Sequence, residues 1–141
     1  MSGWSFPDRA GPIVELNPGE CRRLLAAGSV GRLAYTTPAG LRIVPLNYTL
    51  MPDAVALRTG AFGEVARHGL GQPVAFEVDD VDPFLRSGWS VLVTGQLVEL
   101  SPDAARFLTM QETAAPWAAG DRSLLCAVSL AQVSGRRVVA G

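Results

Sequence analysis

The triplet Arg58-Thr59-Gly60 combines a guanidinium, a hydroxyl and a flexible backbone at the end of a short apolar run. Arginine offers a bidentate fork, threonine adds a donor, and the loop beyond exposes amide N–H groups, so the three together suit a phosphate. An arginine at a strand end is more often a plain solvated charge, and the pattern alone is weak support for a phosphate. Other chemistries lack their parts. There is no GxSxG, no P-loop and no dinucleotide fingerprint, and the single histidine, His68, stands where it would close a helical turn rather than act as a base. All 12 basic residues are arginine, which removes Schiff-base chemistry and the phosphate-gripping lysine. The two cysteines, Cys21 and Cys126, are far apart and read as small buried apolar residues. Asp79, Asp80 and Asp82 lack the glycine and terminal glutamate of a calcium loop and read as a solvated acidic turn.

A chain of 141 residues that is 48% hydrophobic supports one domain with a real core. The net charge of -1 and the scattered arginines exclude an electrostatic footprint for nucleic acid. No apolar run reaches membrane-spanning length, so the expectation is a cytoplasmic protein with no membrane partner. We read residues 1–14 as a leader and 15–141 as a single domain.

The elements that must carry Arg58 are then read in order. Asn17-Pro18-Gly19-Glu20 has a capping residue, proline at the first helical position and glutamate at the third, which predicts a short helix ending at Gly28. Alternation predicts a strand over Val30–Thr36, a turn at Pro38-Ala39-Gly40, a second strand over Leu41–Leu50 and a third over Ala54–Arg58. A helical turn over Glu64–His68 follows, then strands over Pro73–Val81 and Ser87–Leu100, the latter bent at Gly95. Ser101-Pro102-Asp103 caps a helix, and Leu124–Val133 with Val138-Val139 supply the last strands. The fold class is α+β and mainly β: about six antiparallel strands forming a split β-barrel with short flanking helices.

The series Gly31-Arg32-Leu33-Ala34, Val44-Pro45-Leu46-Asn47-Tyr48, Arg58-Thr59, Val74–Asp79, Gly88–Gly95 and the tail Pro116-Trp117 with Gly120-Asp121-Arg122 resembles the pyridoxamine 5'-phosphate oxidase-like flavin reductases. The resemblance runs from the first helix to Arg137. It implies a homodimer with cofactor sites between the subunits, each holding FMN or, in some branches, the deazaflavin coenzyme. By resemblance, Arg58 and Thr59 hold the phosphate, Val44, Pro45, Leu46 and Asn47 lie along the isoalloxazine, and Trp89 and Trp117 help to close the site. For Trp89, core or interface packing competes evenly with flavin contact. Asn47, polar in an apolar strand, is the group most expected to face a ligand.

The resemblance breaks at Gly63-Glu64, where relatives usually carry serine or threonine followed by lysine. A carboxylate repels a phosphate. Either Glu64 turns outward and Arg67, one helical turn on, supplies the charge, or affinity for a phosphorylated flavin falls. The function implied is a flavin-dependent oxidoreductase with a small-molecule electron donor and acceptor and no catalytic side chain of its own. The alternatives are a deazaflavin-dependent reductase, a flavin- or haem-binding protein without turnover, and a barrel kept as a structural module.

Overall fold

The computed structural model describes residues 12–111 and 124–139. The elements in chain order are β1 (Ile13–Leu16), α1 (Pro18–Ala27), β2 (Val30–Thr37), β3 (Gly40–Leu50), β4 (Ala54–Thr59), a π-helical segment (Val65–Gly69), β5 (Pro73–Asp82), β6 (Ser87–Glu99), α2 (Pro102–Gln111), β7 (Leu124–Ser129) and β8 (Val133–Val138). The strands follow the order β1-β8-β6-β5-β2-β3-β4-β7, and β7 pairs back onto β6. Six antiparallel strands thus close a barrel, while β8 and β1 extend the sheet beyond β6. The split barrel expected from the strand pattern is the fold.

Alternation fills the interior. Leu33, Tyr35, Val55, Leu57, Val74, Phe76, Val91 and Val93 all point inward and are buried. Tyr48 meets Phe76 edge-on, with ring centroids 5.4 Å apart. α1 covers one end of the barrel. Its capping box is complete, since the Asn17 side chain accepts from the Glu20 amide and the Glu20 carboxylate accepts from the Asn17 amide. Cys21 and Leu25 of α1 are buried, and the Tyr48 hydroxyl donates to the Leu25 carbonyl. The π-helical segment covers the other end, with Val65, Ala66 and Gly69 buried. α2 lies outside the barrel, where Leu108 packs with Ala56 of β4 and Leu125 of β7.

Three elements differ from the sequence reading. Ile13–Leu16 pairs with Gly135–Val138 as β1, a strand too short and too exposed for alternation to mark. The segment read as one strand over Leu124–Val133 is two strands, β7 and β8, separated by a turn at Leu130–Gln132. The acidic run is strand as far as Asp82, because Asp79, Asp80 and Asp82 pair with Ser90, Trp89 and Ser87. The Asp79 carboxylate meets Arg32 at 2.8 Å, and only Asp82 makes a turn, accepting from the Phe84 and Leu85 amides. No helix among the described residues is long and apolar enough to cross a membrane.

Candidate functional site

β3 changes partner along its length. Gly40–Asn47 pairs with β2, whereas only Tyr48–Leu50 pairs with β4. Along Gly40–Asn47 the edge facing away from β2 carries no strand among the described residues, and β4 leaves the ladder where Leu57 opposes Tyr48. The barrel is split at this point: Leu46 and Asn47 lie on β3 just before its first residue paired with β4, and Arg58 and Thr59 lie on β4 just past its last residue paired with β3.

Within β4 the side chains alternate. Val55, Leu57 and Thr59 face the interior, while Ala56 and Arg58 face outward beside α2 and β7, where Arg58 pairs with Leu125. Thr59 is buried and Arg58 is half-buried. The guanidinium and the hydroxyl therefore flank the end of the strand from opposite faces. On β3, Leu46 is buried, Val44 and Asn47 are half-buried and Pro45 is exposed.

The chain then turns through Gly60–Gly63, with the Gly63 amide donating to the Gly60 carbonyl, and enters the π-helical segment. Such segments are rare and concentrate at functional sites. Glu64, at its start, is turned toward β2 and β3. The hydroxyl of buried Tyr35 donates to Glu64 Oε1 at 2.7 Å, and Arg42 Nε lies 3.7 Å from the same oxygen. Burial, and then the hydrogen bond to Glu64, push the Tyr35 phenol up to about 12. Glu64 does not turn outward, as the first alternative from the sequence required, since its carboxylate is held by Tyr35 and Arg42. Its charge is balanced by groups that the sequence reading did not mark. The hairpin register sets Tyr35 opposite Arg42, and a two-residue turn at Pro38-Ala39 was the available signal for that pair.

Arg67 is exposed and points to a cleft of about 630 Å³ lined also by Thr36, Thr37, His68 and Gln72, between the tip of the β2–β3 hairpin and the start of β5. Trp89 lies elsewhere. It is half-buried, packs on the core and pairs with Asp80 and Arg137 at the start of β6, whereas β7 joins β6 at Leu97–Glu99. From Trp89 to Leu97 is about 26 Å of strand at ~3.3 Å per residue, so one chain does not bring Trp89 to Arg58. Trp117 lies outside the described residues.

The outward face of β3, β2, β5 and β6 is largely apolar. Leu41 is 76% exposed, Ile43 69% and Val81 64%, and Pro45 and Leu92 are also exposed. Arg32, in the middle of this face, reaches Glu77 at 3.1 Å and Asp79 at 2.8 Å. Burial, followed by the neighbouring Asp79, raises Glu77 above the usual carboxylate range, and Arg32 only partly offsets this.

The sequence profile of the family described as pyridoxamine 5'-phosphate oxidase matches residues 17–137. The uncharacterized protein Rv0080 of Mycobacterium tuberculosis is 35% identical over 139 residues, which cover 95% of this chain and 91% of that protein. The FAD binding protein from Mycobacterium smegmatis superposes with a TM-score of 0.70 at 25% identity, over 89% of this chain and 98% of that chain. A putative pyridoxamine 5'-phosphate oxidase from Corynebacterium glutamicum shares the fold, with a TM-score of 0.76 at 22% identity over 92% of this chain and 96% of that one. With a profile match that runs from the start of α1 into β8 and a closed six-stranded barrel beneath it, the chain belongs to the pyridoxamine 5'-phosphate oxidase family.

Proposed function

We propose that this protein is a flavin-dependent oxidoreductase that works as a homodimer and holds its flavin at the split between β3 and β4. One observation carries the reading: β3 leaves the edge of Gly40–Leu46 that faces away from β2 without a strand partner among the described residues, next to the end of β4 at Arg58-Thr59. An unpaired strand edge offers alternating N–H and C=O groups, which match the polar edge of an isoalloxazine. Val44, Pro45, Leu46 and Asn47 would line the ring, Arg58 and Thr59 would take the phosphate from the two faces of β4, and the Gly60–Gly63 turn would add amide donors. FMN is the smallest flavin that makes all these contacts. The carboxylate of Glu64 does not oppose them, because Tyr35 and Arg42 already hold it.

A bound flavin supplies the hydride or electron transfer, and the protein's part is to position it and exclude water. The similarity to an FAD binding protein supports a flavin. The apolar outward face with Leu41, Ile43 and Pro45 borders the open edge, so a second copy seated there would wall the site. Trp89, distant from Arg58 within one chain, and Trp117 would then act from the partner, and a small-molecule electron donor and acceptor would reach the ring from solvent. The proposed setting is the cytoplasm, and the domain takes in Ile13 and Val14, which pair with β8, so its boundary lies ahead of the expected residue 15.

The test is the visible spectrum of the purified protein titrated with FMN, FAD, the deazaflavin coenzyme and haem. A flavin spectrum bleached by reduced nicotinamide under anaerobic conditions is the expected result. Colour without bleaching would reduce the reading to a binding protein, and no binding of any of the four would refute it.

A further inference from the structure

The outward face of the sheet has a charged centre inside an apolar frame. Pro45, Arg32, Glu77 and Leu92 are successive register partners across β3, β2, β5 and β6, so Arg32 and Glu77 stand in mid-row with an apolar side chain on either side. Leu41 and Ile43 lie beyond one end of that row and Val81 beyond the other, all well exposed. Within the cluster one guanidinium serves two carboxylates: Arg32 Nη1 reaches Glu77 Oε1 at 3.1 Å and Asp79 Oδ2 at 2.8 Å. β3 and β6 bring no counter-charge, since Pro45, Leu92 and Ser90 are the cluster's partners there. The next cation on the face is Arg136 of β8, which stands opposite Ser90, itself opposite Asp79. Two strand spacings of ~4.8 Å put it about 10 Å from Asp79, and Glu15 of β1 opposes it in register. The cluster therefore holds negative charge in excess.

The two apolar ends lie at matching distances from the row. From Pro45 to Leu41 along β3, and from Glu77 to Val81 along β5, is about 13 Å in opposite directions at ~3.3 Å per residue. A two-fold axis lying in the interface and crossing the strands at this row exchanges the two ends and sets cluster against cluster. Over β3, β2, β5, β6 and β8 the face offers roughly 600 Å² of flat area per copy before side-chain relief, on the scale of the ~800 Å² per partner in a stable interface. A second copy of this chain is thus the occupant that fits. Covering the face withdraws both clusters from water together, and an unmatched buried charge is neutralised rather than kept. Glu77 is already poised for this: burial, and then Asp79, raise it above the ordinary value of 4.5 against the opposing effect of Arg32. Resting on the homodimer of the reading above, we propose that the Arg32–Glu77–Asp79 cluster is a proton-operated lock at the centre of the interface: assembly takes up one proton per protomer between Glu77 and Asp79, and rising pH reopens the dimer. The covered pair holds its proton more tightly than the pair on the free chain. The gain in assembly is therefore full below the pH at which the free chain's pair ionises, and is lost as pH rises through the value of the covered pair.

The experiment is sedimentation equilibrium of the full-length protein over a dilution series, from about pH 5 to about pH 8 at constant ionic strength, in wild type, Glu77→Gln, Asp79→Asn and the double variant. Melting curves confirm that each is folded, and both amides keep an acceptor for Arg32. The proposal expects the wild-type dimer to weaken roughly tenfold or more across that range, the limiting slope for one proton per protomer being about a hundredfold per pH unit. Glu77→Gln and Asp79→Asn each leave one carboxylate to one guanidinium. Each should therefore be about as tight near pH 8 as wild type is near pH 5, and should vary by less than about threefold between them. The double variant leaves Arg32 without a carboxylate and should be weaker than either single variant throughout. A wild-type dimer with a flat pH profile, or single variants that keep the wild-type slope, would overturn the lock while leaving the dimer in place. His68, the chain's one histidine, lines the cleft beside the π-helical segment, and an effect from it would show as a slope that survives in both single variants. A chain that stays monomeric at every pH, single variants included, would remove the dimer and the lock together.

Discussion

Replacing Arg58 by alanine tests the phosphate assignment directly. Arg58 is half-buried on the outer face of β4, one residue past the last pairing of β4 with β3, and is paired with Leu125 of β7. A charge-assisted hydrogen bond is worth about 1.5–3 kcal/mol, and its removal lowers affinity by about 12- to 150-fold at ~1.4 kcal/mol per decade. Partial exposure places the effect nearer the lower end, because solvent screens the guanidinium. The assay compares FMN with riboflavin, which carries the ring but no phosphate. FMN should lose at least tenfold in affinity, riboflavin should change by less than twofold, and Arg58→Lys should recover part of the loss, since an ammonium is a point charge and not a fork. Equal losses for the two flavins would mean that Arg58 shapes the wall and not the phosphate contact. Unchanged FMN affinity would refute the assignment.

Three further outcomes follow from the same structure. The chain has 2 tyrosines, and burial pushes both Tyr35 and Tyr48 up to about 12. Because the folded values lie above the ordinary value of 10, their contribution to stability is full below pH 10 and is lost as pH rises toward 12. Absorbance at ~295 nm should therefore show no phenolate in the native protein at about pH 10, the midpoint in urea, and native ionisation near that midpoint would contradict the packing. Gly31→Ala would drive a Cβ into the Phe76 ring and set it 2.9 Å from the Glu77 carbonyl, so urea denaturation should register a loss of about 1–3 kcal/mol. Ile43→Asp would put a charge on the apolar outer face, and light scattering should record a shift from dimer toward monomer; a dimer that persists unchanged would move the interface elsewhere.

Which parts of this were legible in the sequence follows from how local their causes are. The α1 boundary is written in Asn17-Pro18-Gly19-Glu20, and both capping hydrogen bonds are present. The β2–β3 hairpin is written in Pro38-Ala39, and its short turn fixes the register. β8 is hidden because Val133-Ser134-Gly135-Arg136-Arg137-Val138 is mostly exposed and polar, and it is a strand through pairing with β6. Gly135 is needed there for close approach, as a Cβ would lie 2.7 Å from Cys21 Sγ. The acidic run of β5 reads as a turn until Arg32, distant in sequence, is found beside Asp79. In the site, Arg58-Thr59 and Val44–Asn47 are motifs and can be read, but the open edge between them is not. It exists because β4 departs from β3 after Leu57, and that departure is a property of two strands together.

The open edge also links stability to binding. β3 is 11 residues long, yet β4 covers only Tyr48–Leu50 of it, so the closed barrel still contains a stretch with the exposed hydrogen-bonding groups of an edge strand. Edges of this kind are normally shielded by a charge, a proline or a cover, and here Pro45 and Arg42 stand on the strand itself. That shielding keeps another strand from adding to the sheet, and in the proposed reading it leaves the edge of Val44–Leu46 to a flat ligand with polar edges. A flavin seated there as proposed would bind only the folded chain, so its binding would add to stability in proportion to the logarithm of its concentration over its Kd. Arg58, Thr59 and the Glu64–Tyr35–Arg42 cluster lie on β4, β2, β3 and the segment after β4, so the charges proposed to select the ligand would also set how much it stabilises the barrel.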